Sequence, residues 1–154
     1  MEIEDILTQD RVVIGLKAKS KKQALQELAA RAAKATGLEE RKIFDVLLER
    51  ERLGTTGVGS GIAIPHGKLA ELDTLVGCFA RLDEAIDFDA VDGQPVDLVF
   101  LLLAPESAGA DHLKALARIS RVLRNAASCD KLRTAPSADA VYGLLTADAQ
   151  SRAA

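Results

Sequence analysis

Aromatic residues are scarce in this chain, which has four Phe, one Tyr and no Trp among 154 residues. A strong excess of one charge is also missing, because 20 Lys and Arg stand against 23 Asp and Glu, a formal net charge of −3. Proteins that bind nucleic acid directly normally carry a basic surface with aromatic side chains that stack on bases. We therefore expect no nucleic acid among the direct partners.

Long hydrophobic runs and cysteine pairs are lacking as well. The longest apolar run, Leu98 to Ala104, is far shorter than the ~20 residues that span a bilayer. The first residues, MEIEDILTQD, are acidic where a signal peptide requires basic residues. Cys78 and Cys129 form neither a CxxC motif nor a Cys-His spacing typical of metal sites. We expect a cytoplasmic protein with reduced thiols and no membrane insertion, folded as one domain over residues 1–154.

Hydrophobic periodicity predicts alternating helices and strands, and hence an α/β sandwich. The segment Val96–Ala104 is apolar on both faces, as in a central strand covered by helices on either side. In the helix expected from Asp111 to Asn125, the predicted inner face is formed by Leu113, Leu116, Ala117, Ser120 and Leu123. The other predicted elements are a helical turn within 1–10, strands at 11–16 and 74–82, helices from Ser20 to Gly37 and from about 38 to 52, a short edge strand with a turn at Asp92-Gly93 within 85–95, a helix capped by Ser137, and a flexible tail at 148–154.

The glycine-rich segment 53–67, LGTTGVGSGIAIPHG, raises the question of nucleotide binding. A P-loop requires GxxxxGK[ST], but Ser60 follows Gly59 where the lysine should stand. The dinucleotide motif GxGxxG fails because positions 62 and 64 are Ile. An EF-hand calcium loop at Asp87 fails too, since its third acidic residue comes one position late and residue 98 is Leu.

The two histidines, His66 and His112, are candidates for chemistry, although a His in such a segment can also be a structural residue bonded to the backbone. Arg50 ends the helix before the glycine loop, and His112 lies in the first turn of a helix, where the dipole favours anions. Backbone N–H groups of glycine-rich loops bind anions as well. Together these features predict an anion site beside a histidine nitrogen. The alternative, a zinc site, would need a third ligand, for which only Asp111 is near in sequence.

The residues at this point resemble a known family. Residues 50–68 read RERLGTTGVGSGIAIPHGK, which is similar to the signature of the fructose/mannitol-type IIA domains of the bacterial phosphoenolpyruvate-dependent phosphotransferase system. The resemblance continues through FDAVDGQPVDLVF (88–100), APE (104–106) and DHL (111–113), and so covers nearly the whole chain. Within the family, the nitrogen-regulatory branch is the most similar. One departure is Thr55, where these proteins often carry serine.

The resemblance implies a mixed β-sheet flanked by helices on both faces, and no cofactor or metal. It implies that His66 accepts a phosphoryl group, on Nε2, from the phosphohistidine of a small HPr-like carrier. Arg50 and His112 match the other active-site residues of the family. The expected phosphate-binding loop consists of Thr55, Thr56, Gly57, Gly59 and Gly61.

Two classes of function remain open from the sequence. The first is a regulator that binds target proteins according to its phosphorylation state, which the resemblance to the nitrogen-regulatory branch favours. The second is a sugar-transport component that passes phosphate to a IIB domain. In both, the chain is a phosphotransferase component rather than an enzyme that turns over a small molecule. A binding domain that never carries phosphate would require the signature to be accidental.

Overall fold

A mixed β-sheet lies between two layers of helices in the computed structural model, which describes the backbone of residues 1–153 and the side chains of residues 1–147. The predicted flexible tail at 148–154 falls outside that fully described part. The strands are β1 Val12–Leu16, β2 Gly57–Gly59, β3 Ile62–Ala63, β4 His66–Leu69, β5 Val76–Ile86 and β6 Val96–Pro105. The helices are α1 Lys21–Thr36, α2 Glu40–Arg52, α3 Ala110–Arg124, α4 Ala126–Thr134 and α5 Ala138–Ala153, with 3-10 turns at Ile3–Asp5 and Gln9–Arg11.

Strand β6 is the centre of the sheet, whose order is β1-β5-β6-β3-β2 with β4 also paired to β6. β5 runs antiparallel to β6, whereas β1 is parallel to β5. On the other side of β6, β3 pairs with its first half and β4 with its second half, both parallel to it. The predicted α/β class, with a mixed sheet and helices on both faces, is confirmed.

Two hydrophobic cores form because successive side chains of a strand point to opposite faces. In β6, Val99, Leu101 and Leu103 pack with α1 and α2. The alternate residues of the same strand pack against the N-terminal 3-10 turns, α3, α4 and α5; they are Leu98, Phe100 and Leu102. Burial on both faces explains why this strand is apolar throughout, as predicted.

Helix α1 has the ends that its sequence predicts. The Ser20 side chain accepts a hydrogen bond from the Gln23 amide at the start. Gly37 ends the helix in the left-handed region at φ 76°, a conformation that favours glycine. No helix in the part of the chain that the structure describes is long and apolar enough to cross a membrane.

Two predictions of secondary structure in the middle of the chain are wrong. Segment 53–67 is not one irregular loop, because it forms β2 and β3 and the first residues of β4, through pairing with distant β6. The predicted edge strand within 85–95 is absent: β5 extends to Ile86, and the rest is a loop. The turn there is confirmed by the Gly93 amide, which donates to the Ala90 carbonyl at 2.9 Å.

The helices after β6 differ from the prediction in two respects. In α3 the predicted inner face is only partly right: Leu123 is buried and Leu116 packs against the core, but Leu113 is 69% exposed and Ala117 is exposed. The buried residues of that helix are His112, Ala115, Ile119, Val122 and Leu123. Because α3 is apolar at many positions, periodicity alone did not decide which stripe faces the sheet. Helix α4 was missed, although Asn125 caps it by accepting from the Ser128 amide.

Candidate functional site

His66 is the first residue of β4, where its backbone pairs with Leu102 of β6. Its ring is partly buried, and Nδ1 lies 2.9 Å from the carbonyl oxygen of Ile64. Because a carbonyl oxygen only accepts hydrogen bonds, Nδ1 must carry the proton in this contact. The tautomer is therefore the one whose Nε2 has a free electron pair.

Arg50, in the last turn of α2, is directed at that electron pair. Its Nε–H donates to His66 Nε2 at 3.2 Å, and its Nη1 donates to the Gly54 carbonyl at 2.9 Å. This hydrogen bond from Arg50 holds the His66 ring in place, and it requires that Nε2 carries no proton. The same guanidinium offers further donors to an anion that approaches the nitrogen.

Gly67 explains how α2 comes so close to His66. A Cβ atom at this position would lie 2.4 Å from Cγ1 of Val46, which belongs to α2. Only a residue without a side chain allows this approach of helix and strand. The glycine that follows the histidine thus brings Arg50 within reach of the ring.

His112 lies beside His66, in the first turn of α3. The two ring centroids are 5.5 Å apart with an angle of 64° between the ring planes. His112 is only 6% exposed, and its Nδ1 has no hydrogen-bond partner. Both rings line a surface depression of about 380 Å³ together with Arg50, Lys68 and the exposed Leu53. Glu49 lines it as well, so Nε2 of His66 faces a depression with two cationic side chains and one carboxylate.

Both histidines favour the neutral form. Burial lowers the pKa of His66, and the Arg50 charge lowers it further, although the bond to the Ile64 carbonyl opposes this. Burial also lowers the pKa of His112, helped by His66 and Lys68. A neutral imidazole with an unprotonated Nε2 is the form that can act as a nucleophile.

The first three residues of the predicted phosphate-binding loop make hydrogen bonds to groups other than the two histidines. The Thr55 hydroxyl donates to the Phe88 carbonyl at 2.9 Å, and the Thr56 amide donates to Glu51 Oε1 at 3.0 Å. The Gly57 amide donates to the Thr55 hydroxyl at 3.0 Å. None of these three residues lines the depression at His66.

The remaining two loop residues, Gly59 and Gly61, also lie away from the histidines. Gly59 lines a different cavity, of about 390 Å³, between the β2–β3 hairpin and helices α3 and α4. The Gly61 carbonyl accepts from the Asp97 amide at 3.0 Å. The structure therefore brings together His66, Arg50 and His112, but not the loop that was expected to bind phosphate with them.

Two residues near the site were missed from the sequence. Lys68 lies two positions after His66 in β4, and the two-residue period of a strand places both on the same face. Glu51 is 7% exposed and follows Ile43 and Leu47 at four-residue steps, which places it on the buried stripe of α2. Within the described side chains, no group of three or more His, Cys, Asp and Glu is arranged to hold a metal ion.

The architecture that carries these histidines is that of the mannitol-type IIA proteins of the phosphotransferase system. The crystal structure of IIA mannitol from Escherichia coli matches with a TM-score of 0.77 over 90% of this chain and 98% of that chain. At 23% sequence identity this likeness shows the fold. The chain belongs to the family described as "Phosphoenolpyruvate-dependent sugar phosphotransferase system, EIIA 2", whose model matches residues 5–148. Members of that family are phosphotransfer components.

Relatives of higher identity carry a regulatory name. A "Nitrogen regulatory protein" of Bradyrhizobium diazoefficiens is 61% identical over 145 residues, which cover 94% of this chain and 95% of that protein. The crystal structure of nitrogen regulatory protein IIA-Ntr from Neisseria meningitidis matches with a TM-score of 0.90 at 37% identity. That match covers 94% of this chain and 99% of the Neisseria chain. The resemblance stated from the sequence is confirmed.

Proposed function

We propose that this protein is a phosphocarrier that accepts a phosphoryl group on Nε2 of His66 from the phosphohistidine of an HPr-like protein. The observation that carries the proposal is the hydrogen bond from His66 Nδ1 to the Ile64 carbonyl, at 2.9 Å. It holds the proton on Nδ1 and leaves the Nε2 electron pair for the phosphorus. Membership of the phosphotransferase family supports this chemistry.

The transfer exchanges one N–P bond for another. The Nε2 electron pair attacks the phosphorus in line, while the bond from phosphorus to the donor's imidazole nitrogen breaks and its electrons stay on the donor. His66 keeps its Nδ1 proton throughout, so the step needs no external acid or base. Positioning and stabilisation of charge on the phosphoryl oxygens are the main requirements of such a step.

Arg50 and His112 supply those requirements. When the phosphoryl group reaches Nε2, the Arg50 guanidinium turns its donors from the nitrogen, 3.2 Å away in the resting state, to the phosphoryl oxygens. His112 lies close enough, with ring centroids 5.5 Å apart, to donate to the same oxygens. Thr55, Thr56, Gly57, Gly59 and Gly61 take no part in this proposal, because their contacts lie elsewhere.

The biological role that we propose is regulation of nitrogen or general metabolism in the cytoplasm, through target proteins that distinguish the two phosphorylation states. The 61% identity to a nitrogen regulatory protein supports it. Phosphorylation adds a charge of about −2 at one spot of the surface, which changes partner choice by repulsion or pairing. The second candidate is transfer to a IIB domain in sugar transport, which the family's description as a sugar phosphotransferase component favours.

Intact-mass measurement after incubation with phosphoenolpyruvate, Enzyme I and an HPr-like carrier tests the carrier role. We expect one added phosphoryl group on the wild type, lost in mild acid as an N–P bond is, and none on His66→Ala. The matched control is His112→Ala, which keeps the acceptor and should still gain one group, more slowly. Phosphate on a folded His66→Ala protein would overturn the assignment.

The two biological roles differ in the fate of the phosphate. For the regulator, we expect the phosphorylated protein to retain its label when it is mixed with purified fructose-type and mannitol-type IIB domains. Rapid transfer of the label to either IIB domain would instead establish transport, if its rate is similar to that of transfer from the IIA protein that normally serves that domain.

A further inference from the structure

Glu51 is a buried carboxylate that no step above has used. It is 7% exposed and contacts Thr56, which is 4% exposed. The Thr56 amide donates to Glu51 Oε1 at 3.0 Å, and the Thr56 hydroxyl donates to Oε2. Lys21 Nζ lies 2.9 Å from Oε1. The carboxylate therefore joins the start of α1 to the turn that follows α2.

Helix stability does not explain these charges. Lys21 is the first residue of α1 and Glu51 the last but one of α2, so each charge stands at the end of its helix that the dipole disfavours. A buried ion pair is, in addition, often no more stabilising than a well-packed apolar pair of the same volume. Lys21 Nζ also lies 4.9 Å from the centre of the Phe88 ring. The ion pair of Lys21 and Glu51 therefore needs an explanation other than helix stability.

The turn after α2 connects Glu51 with the site. The Gly54 carbonyl accepts from Arg50 Nη1 at 2.9 Å, while the Gly54 amide donates to the Glu51 carbonyl at 3.1 Å. Thr56, two residues further, is held by the Glu51 side chain. Glu51 thus holds the turn at two points, Gly54 through its backbone carbonyl and Thr56 through its side chain. Between these two points lies the Gly54 carbonyl that accepts from the Arg50 guanidinium.

We infer that Glu51 is a positioning residue for phosphoryl transfer: by clamping residues 54–56 it fixes the Gly54 carbonyl, and through it the Arg50 guanidinium. The inference rests on the proposed function of His66. Glu51 itself does not line the depression, so its effect on the rate passes through Arg50.

Glu51→Gln is the first variant, because glutamine keeps the size and one acceptor oxygen but places an amide NH₂ near Lys21 and Thr56. We expect transfer from the phosphorylated carrier to slow about ten- to a hundredfold, as for small displacements of a catalytic group. Glu40→Gln, the same change at an exposed position of α2, is the matched control and should transfer at the wild-type rate. Should Glu51→Gln fail to fold, Thr56→Val removes one clamp bond and takes its place.

A double-mutant cycle separates positioning from a general loss of stability. If Glu51 acts through Arg50, the double variant Arg50→Ala/Glu51→Gln transfers at the rate of Arg50→Ala alone. A double variant that is slower than Arg50→Ala by the full factor seen for Glu51→Gln would overturn the inference. Unchanged transfer by Arg50→Ala itself would also overturn it, since Arg50 would then not connect Glu51 to the reaction.

Nuclear magnetic resonance of the unphosphorylated protein tests the inference without any transfer. We expect the Arg50 Nε–H signal to be protected from exchange in the wild type and in Glu40→Gln, and to exchange at least tenfold faster in Glu51→Gln. Equal protection in all three would overturn the positioning role. A wild type that accepts no phosphate would count against the proposed function alone, and this measurement would still decide the role of Glu51.

Discussion

The start of β4 and the first turn of α3 each place one histidine in the same depression, but they treat the ring differently. At the start of β4, both nitrogens of His66 are paired, one with the Ile64 carbonyl and one with Arg50. At the start of α3, His112 is buried with an Nδ1 that has no partner. Burial lowers the pKa of both. The proposed acceptor is therefore distinguished from its neighbour by its hydrogen bonds and by its partial exposure, and not by the direction of the pKa shift.

Among changes that keep both histidines, the largest expected effect comes from removing Arg50, which bonds the ring of His66. Arg50→Ala should slow phosphoryl transfer to His66 by about 10²–10³-fold, the loss typical of one charge-stabilising donor. The fold should persist, because Arg50 is only partly buried and its contacts lie at the surface. Rapid-quench measurement of labelled protein gives the rate, and circular dichroism checks the fold. An unchanged rate would remove Arg50 from the site.

Gly67→Ala should disturb the His66 side of the depression alone. The added Cβ would meet Cγ1 of Val46 at 2.4 Å, so the Val46 side chain or α2 itself must shift. We expect the free energy of unfolding to fall by about 1–3 kcal/mol, as for overpacked sites, together with slower transfer. Urea denaturation measures the first effect. Gly143→Ala, a glycine in α5 with open space around its Cβ position, is the control, and comparable destabilisation there would refute the packing argument.

His112→Leu tests the second histidine of the depression. Because it removes a buried nitrogen without a partner, we expect the free energy of unfolding to stay the same or to rise by about 1 kcal/mol. Transfer should nevertheless slow, since a donor to the phosphoryl oxygens is lost. Thermal denaturation and the transfer rate together test this prediction. A clear loss of stability would show that His112 Nδ1 has a stabilising partner in solution.

The smallest effect is that of pH. Because burial lowers the pKa of His66 below the ordinary value of 6.5, a larger fraction of this ring is neutral at pH 7 than of an ordinary histidine. The unfolded chain binds more protons than the folded one between these two pKa values, so stability decreases as the pH falls from about 6.5 to the lowered pKa, and levels off below it. Histidine titration by nuclear magnetic resonance measures the pKa. In Arg50→Ala the pKa of His66 should rise, since the Arg50 charge is one of the causes that lower it.

Much of the fold followed from local sequence patterns. The capped helix α1, the apolar central strand β6 and the His66 signature were all predicted, since each depends on residues close together in the chain. Helix α4 was not predicted, and the inner face of α3 was predicted only in part. The choice between stripes in α3 depends on the side chains of the sheet that it covers, for example Phe100 and Leu102.

In the candidate site, too, some residues were predicted from the sequence and others were not. His66, Arg50 and His112 were named from sequence, and the structure places them together. The loop residues were assigned to phosphate because glycine-rich segments offer amides, but the Thr56 and Gly57 amides donate to Glu51 and Thr55, and none of the five loop residues lines the depression at His66. Glu51 was overlooked because a charged residue on an apolar stripe becomes significant only when its buried partner, Lys21 of another helix, is known.

The sequence by itself determined the family, the histidines and the alternation of helices and strands, because these are written in short motifs and regular spacings. Only the tertiary structure decided which nitrogen of His66 carries the proton, that α2 lies against Gly67, and that the Glu51 side chain bonds Thr56 in the turn after α2. Each of these depends on groups brought together across the sheet and between helices. The physical reason is that hydrogen-bond direction and close packing depend on distances in space, which separation along the chain does not determine.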